Sequence, residues 1–200
     1  PLPGDDLFVR RAAVELLGEI LPLRPRLAAL FGALSEDASS FVRQALPGAL
    51  RLAEPMLVAA WLPRIAGDES PQVRGAALLT AGSLLERPEL FAVVETVVSE
   101  ALRSENDPFV QRVACRVVLL GQERLRREGG EEGVRRWEET MAPALAAVHL
   151  TASSLAVRRW AAQAGERLWC DADADARRLR EQLAAWLERT PPGRRRRLPG

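Results

Sequence analysis

One pattern recurs five times along this chain of 200 residues. A valine is followed four positions on by an apolar residue, then by a pair at seven and eight, and by another small or apolar residue at eleven. The copies are Val9 with Ala13, Leu16, Leu17 and Ile20; Val42 with Leu46, Ala49, Leu50 and Ala53; and Val73 with Ala77, Thr80, Ala81 and Leu84. The last two are Val110 with Ala114, Val117, Val118 and Gly121, and Val157 with Ala161, Ala164, Gly165 and Leu168. This spacing returns to one side of a helix, so each copy predicts an amphipathic helix with a single buried stripe. The stripes are rich in alanine and glycine, which lets neighbouring helices approach closely.

Acidic and turn-forming residues precede each valine: Asp5-Asp6, Glu36-Asp37-Ala38-Ser39-Ser40, Asp68-Glu69-Ser70-Pro71, Glu105-Asn106-Asp107-Pro108 and, without the acid, Thr151-Ala152-Ser153-Ser154. Such residues end one helix and start the next, because their side-chain oxygens accept the free N–H groups of the first turn. Other helical segments lie between the copies, roughly Pro25–Leu34, Pro55–Ile65, Pro88–Arg103 and Glu131–Leu150, with a further one at about Ala172–Arg189. The valines stand 33, 31, 37 and 47 residues apart, and the longest interval contains an exposed loop at Arg127–Glu131. Helix pairs with a period of about 30–50 residues predict an α-solenoid. The expectation is an all-α, right-handed superhelix of about five pairs over residues 1–189, followed by a separate Pro/Arg-rich tail at 190–200. Its first pair lacks a first helix, so the apolar face of the helix after Asp5 is expected to be bare unless upstream sequence covers it.

An acidic turn, then Val-Arg, then Ala and Leu-Gly at helical spacing resembles the HEAT repeat, and DDLFVRRAAVELLGEIL at 5–21 is the nearest copy. The resemblance covers roughly Asp5 to Trp169. It implies a ladder between neighbouring repeats made by the turn acid and the arginine after valine: Asp6, Arg10, Asp37, Arg43, Asp68, Arg74, Asp107 and Arg158. Gln111 and the acid-free fifth turn depart from that pattern. It also implies that the second helix of each pair lines a concave wall, whose outward positions include Arg11, Arg51, Arg112, Arg116 and Arg159. The segment 157–187, through Arg158, Arg159, Gln163, Asp171, Ala174, Asp175, Ala176, Glu181 and Gln182, resembles HEAT-type activators of the ATM kinase that associate with the breast-cancer susceptibility protein. That implies an intracellular scaffold, nuclear or cytoplasmic, in DNA-damage signalling.

The chemistry legible in the residues points the same way. His149 is the sole histidine and follows an apolar run, so it reads as a packed side chain. No Gly-x-Ser-x-Gly, G-x-G-x-x-G or P-loop occurs. Asp171-Ala172-Asp173-Ala174-Asp175 begins like a calcium loop but has Ala176 and Gln182 where glycine and a bidentate glutamate are needed. Cys115 and Cys170 form no C-x-x-C and read as reduced, mostly buried thiols. No catalytic residue, metal site or cofactor is therefore expected. All 28 basic residues are arginine, a bias shared by the whole chain. Net charge is +1, and Arg194 to Arg197 supply four positive charges, so the body without them is slightly acidic. The expected partners are thus a protein bearing an acidic or amphipathic segment, rather than nucleic acid for the body, and the upstream part of the same solenoid. No apolar run is long enough for a membrane span. The competing expectation is a nucleic-acid-binding HEAT-like protein, at the extreme a DNA glycosylase, using Trp61, Trp137, Trp160, Trp169 and Trp186 as walls for an extruded base.

Overall fold

A computed structural model describes residues 6–168 apart from 129, with the backbone alone at Glu128. The expected helix at Ala172–Arg189, the tail at 190–200 with Arg194 to Arg197, Asp5, Cys170, Trp169, Trp186 and the Asp171–Asp175 run all lie outside these residues. Among the described residues every regular element is helical.

The valine-anchored segments form α1 (Leu7–Ile20), α3 (Ser40–Arg43) with α4 (Leu46–Ala49), α6 (Pro71–Leu84), α8 (Pro108–Glu128) and α10 (Leu155–Arg167). The intervening segments form α2 (Leu30–Ser35), α5 (Pro55–Ala66), α7 (Phe91–Ser104) and α9 (Gly130–Thr151), with 3-10 turns at Pro25–Ala29 and Pro88–Leu90 ahead of α2 and α7. Proline opens α5, α6 and α8, where its missing N–H would have no partner in any case. The second copy is not one helix, as its periodicity suggests, but two short ones. Pro47 has no N–H to give the Arg43 carbonyl and its ring crowds that carbonyl. The backbone there tightens, with Ala45 N–H bonding Val42 O at 3.0 Å. The loop expected at Arg127–Glu131 is also tighter than its composition suggests. α8 runs to Glu128 and α9 starts at Gly130, whose φ of +66° is the left-handed turn conformation that glycine adopts without strain.

Neighbour follows neighbour in two series of contacts. α1 packs on α3 and α4, these on α6, α6 on α8 and α8 on α10; α5 packs on α7 and α7 on α9. Within each pair α5 meets α6, α7 meets α8 and α9 meets α10, so the two series share one continuous core from Val14 to Leu168. Small residues set the close approaches. A methyl group on Gly18 would lie 2.8 Å from Ala49 Cα, and one on Gly121 2.6 Å from the Trp137 ring. Trp137 is fully buried, and its indole N–H donates to the Val118 carbonyl at 3.1 Å.

The stripes of the later four copies are buried almost throughout. The first is not: Val14, Leu17 and Leu21 are buried, whereas Val9 and Leu16 are 58% and 57% exposed. Val9, Ala13 and Leu16 face a side of α1 that no described helix covers.

Candidate interaction surface

The residue after the valine, Arg43 and Arg74 most fully, does two separable jobs. Toward its own turn it donates to the carbonyl five residues before the valine: Arg43 Nη1 to Asp37 O at 2.7 Å and Arg74 Nη1 to Asp68 O at 2.9 Å. Gln111 Nε2 makes the same bond to Glu105 O at 2.7 Å, and Arg158 Nε makes it to Ala152 O. Toward the next turn the guanidinium reaches a carboxylate at the same place, five before the next valine. Arg10 Nε lies 3.0 Å from Asp37 Oδ2, although its aimed N–H bond is the longer one from Nη2 at 3.3 Å. Arg43 clamps Asp68 through Nε at 2.8 Å and Nη2 at 3.0 Å, and Arg74 clamps Glu105 at 2.6 and 3.0 Å. Planar forks of this kind pair bidentately with carboxylates. The same acids also hold their own turns: Asp37 accepts from Ser39 N, Asp68 from Ser70 N, and Glu105 from Asn106 N and Asp107 N.

Two residues expected in these rungs stand elsewhere. Asp107 does not meet Arg74; it caps α8, accepting from Phe109 N at 2.9 Å and Val110 N at 3.2 Å, and Glu105 takes the rung because it sits at the right distance from Val110. Asp6 likewise caps α1, accepting from Phe8 N at 2.8 Å. At the fourth junction the ionic rung is absent from both sides at once. Gln111 replaces the arginine, and Ala152 occupies the position of the acid, so neither charge is left buried alone.

The rungs are electrostatically tuned. Hydrogen bonding to Asp68 outweighs burial and raises the pKa of Arg43, and Glu105 does the same for Arg74. Burial pushes the Glu105 carboxyl up, but its bonds from Arg74 and from the Asp107 and Asn106 N–H groups together hold it below the ordinary glutamate range. Between α7 and α9 a further buried acid, Glu95, receives Arg136 Nη2 at 2.7 Å and the Thr140 hydroxyl at 2.7 Å.

The five arginines expected on an outward wall divide into distinct environments. Arg11 is engaged: Nε meets Glu15 Oε1 at 2.8 Å, Nη1 donates to Phe41 O at 2.9 Å, and the guanidinium lies 4.5 Å from the Phe41 ring centroid. It joins α1 to α3. Arg159 is half-buried on α10. Arg51, Arg112 and Arg116 are exposed, and among the described residues their side chains make no ion pair. Arg112 lies 6.0 Å from the Phe109 ring centroid.

Exposed apolar side chains interleave with these charges. Phe109 is 42% exposed and lies against Gly75, where a methyl group would come within 2.7 Å of the ring; Gly82 meets Val117 in the same way at 3.2 Å. These two contacts fix α6 and α8 as parallel neighbours in a register of 34 to 35 residues. Exposed Leu79 is therefore level with the interval between Arg112 and Arg116, and exposed Leu120 lies one turn beyond. Phe8 and Phe41, edge to face at 5.4 Å, continue the aromatic row at the start of α1 and α3. The phenylalanines were missed in the sequence because they sit one place before the valine, where the helical stripe does not look.

The tryptophans that the described residues include are packing elements. Trp137 is buried, Trp61 is half-buried with its ring 5.8 Å from Phe31, and Trp160 packs against the core. His149 is buried with Nδ1 3.2 Å from Arg158 O. Cys115 is buried, which pushes its thiol up to about 12. Among the described residues no cluster of His, Cys, Asp and Glu is arranged to hold a metal ion, and no helix is long and apolar enough to cross a membrane. No family model matches the chain, and neither the curated proteins nor the solved structures contain a match to it.

Proposed function

We propose that the chain is a non-catalytic protein-binding scaffold, built as a right-handed solenoid of HEAT-like helix pairs. The recurrent rung supports the architecture: the same arginine position reaches the acid of the next turn at three successive junctions, and at two of them it also holds its own turn. The observation that carries the function is the outward face of α6 and α8, where Arg112 and Arg116, without ion pairs among the described residues, stand beside exposed Leu79, Phe109 and Leu120. An arginine with its carboxylate partner missing favours an incoming carboxylate, and the apolar side chains between favour aliphatic or aromatic groups on the same ligand. The partner is accordingly an acidic amphipathic segment of another protein. The slightly acidic body sets this surface apart from a polyanion-binding one, which would carry a contiguous basic field. Resemblance of residues 157–187 to ATM activators extends the proposal to DNA-damage signalling inside the cell, nuclear or cytoplasmic.

The test is affinity capture with the intact chain and with Arg112→Glu/Arg116→Glu, followed by titration of the recovered partner. Loss of binding by tenfold or more on charge reversal supports the assignment. Equal recovery removes it. Binding of duplex or single-stranded DNA that survives removal of residues 190–200 and falls steeply with salt would replace it with the nucleic-acid reading.

A further inference from the structure

An apolar groove of about 790 Å³ opens between α1 and the segment made of the 3-10 turn and α2. Its walls are Ala13, Leu16, Leu17 and Ile20 on one side and Leu27, Leu30, Ala33 and Leu34 on the other, and the Arg10–Asp37 pair closes one end. Among the described residues the same construction occurs once more, with its slot filled. α6, the 3-10 turn Pro88–Leu90 and α7 follow one another as α1, the 3-10 turn Pro25–Ala29 and α2 do, and α5 packs against all three. α5 fills that slot with Val58, Leu62 and Ile65, and its Trp61 lies against Phe31. Among the described residues nothing occupies the corresponding position against α1.

The sequence supplies one segment with α5's filling pattern. Ala59-Ala60-Trp61-Leu62-Pro63-Arg64 returns as Ala184-Ala185-Trp186-Leu187-Glu188-Arg189, identical but for one position. Leu183 and Leu187 stand where α5 has Val58 and Leu62, both fully buried. The described residues end at Leu168, which leaves residues 169–200 outside them. We propose that residues 179–189 of one copy of the chain occupy the α1–α2 groove of a second copy, so that the copies associate head to tail.

Length agrees with this occupant. The groove lining on α1 runs from Arg10 to Ile20, about 15 Å of helix, and residues 179–189 span the same length at helical rise. A second copy is favoured by reach, a step that rests on the proposed helical row. Four inter-helix steps of about 8–10 Å, roughly 32–40 Å in all, separate α10 from α1, a gap that the eleven residues from 168 to 179, at most about 36–40 Å long, would close only when drawn out straight. Glu19, exposed on α1 beside the groove and without an ion pair among the described residues, meets a segment carrying Arg180 and Arg189. The contact joins two different surfaces, so it leaves a free groove at one end of each assembly and a free segment at the other.

Sedimentation of the full chain tests this with two variants. Leu16→Glu damages the groove at a side chain that is 57% exposed and so leaves the core intact, and Leu187→Glu, at the position matching Leu62, damages the segment. The wild-type chain is expected to pass beyond dimer as concentration rises, and each variant alone to associate at least tenfold more weakly. Mixed in equal amounts, the two variants are expected to form a dimer and nothing larger, since one retains the segment and the other the groove. Ala33→Glu, on the opposite and exposed wall, repeats the test should Leu16→Glu alter the melting profile. A wild-type chain that stays monomeric, variants that associate like the wild type, or a mixture that stays monomeric would each overturn the proposal. None of these outcomes bears on Arg112 and Arg116.

Discussion

Replacing Arg43 by glutamine copies what the chain itself has at position 111, and the cost follows from what is left behind. Arg43 is 5% exposed and holds Asp68 through two bonds, Glu69 Oε1 at 2.9 Å and the Asp37 carbonyl at 2.7 Å. Glutamine keeps a donor for the carbonyl, as Gln111 does at 2.7 Å, but leaves the Asp68 carboxylate without its counter-charge. Removing one member of a buried pair costs about 3–5 kcal/mol. Asp68 keeps its bond from Ser70 N at 2.8 Å and 13% exposure, so Arg43→Gln should fall just below that range, at about 2–3 kcal/mol. Asp68→Ala alone loses the same rung and the Ser70 bond, about 2–3 kcal/mol. The double variant recreates the Gln111–Ala152 junction, which strands no charge, and should cost about 2–3 kcal/mol rather than the additive value of about 5, a coupling of about 2–3 kcal/mol. Urea titration followed by circular dichroism gives all four free energies, provided the slope stays constant across the set. Strict additivity, or an Arg43→Gln cost below about 0.5 kcal/mol, which is typical of an exposed pair, would refute the reasoning.

Gly121→Ala places a methyl group 2.6 Å from the buried Trp137 ring and 2.7 Å from Leu85; the clash should cost about 1–3 kcal/mol by thermal or urea melting, despite alanine's better helix propensity. Gly75→Ala meets the exposed Phe109 ring first, and that ring can turn away, so its melting point should change little or rise. Because Glu105 is held below the ordinary glutamate range when folded, its contribution is fully present above the unfolded value of about 4.3 and lost as pH falls through the folded value. The stability gap between wild type and Glu105→Gln should therefore shrink as pH drops below about 4, and a gap that widens there would contradict the assignment. In a Cys170→Ser background, the Cys115 thiol, pushed up to about 12 by burial, should resist thiol reagents at neutral pH until the chain unfolds.

How much of this was legible depended on which contacts a periodic pattern encodes. Helices at Val73, Val110 and Val157 follow from spacing and caps alone, since each stripe meets a neighbour of the same kind. At Val42 one proline overrode the periodicity, a local steric fact present in the sequence but outranked by four regular stripes. Glu105 was passed over for Asp107 because both fit a helix start, and only the register of α6 against α8 decides which one faces Arg74. Counting back five residues from each valine, as Asp37 and Asp68 suggest, finds it. The environments of Arg11 and Arg112 cannot be separated by composition, because what distinguishes them is a neighbouring Glu15 and the Phe41 carbonyl on another helix.

The central claim, a row in which each valine-anchored helix stacks on the next, has a direct measure. Phe8 and Ala156 occupy the same place, one before the valine, in α1 and α10. Spin labels on Phe8→Cys and Ala156→Cys, in the Cys170→Ser background with Cys115 too buried to label, report the distance between the first and last helices of the row. Four inter-helix steps of about 8–10 Å predict a single distribution near 32–40 Å. A distribution centred below about 20 Å, the separation of helices at most two steps apart, would mean that α1 folds back toward α10 in a closed bundle, and would contradict the row.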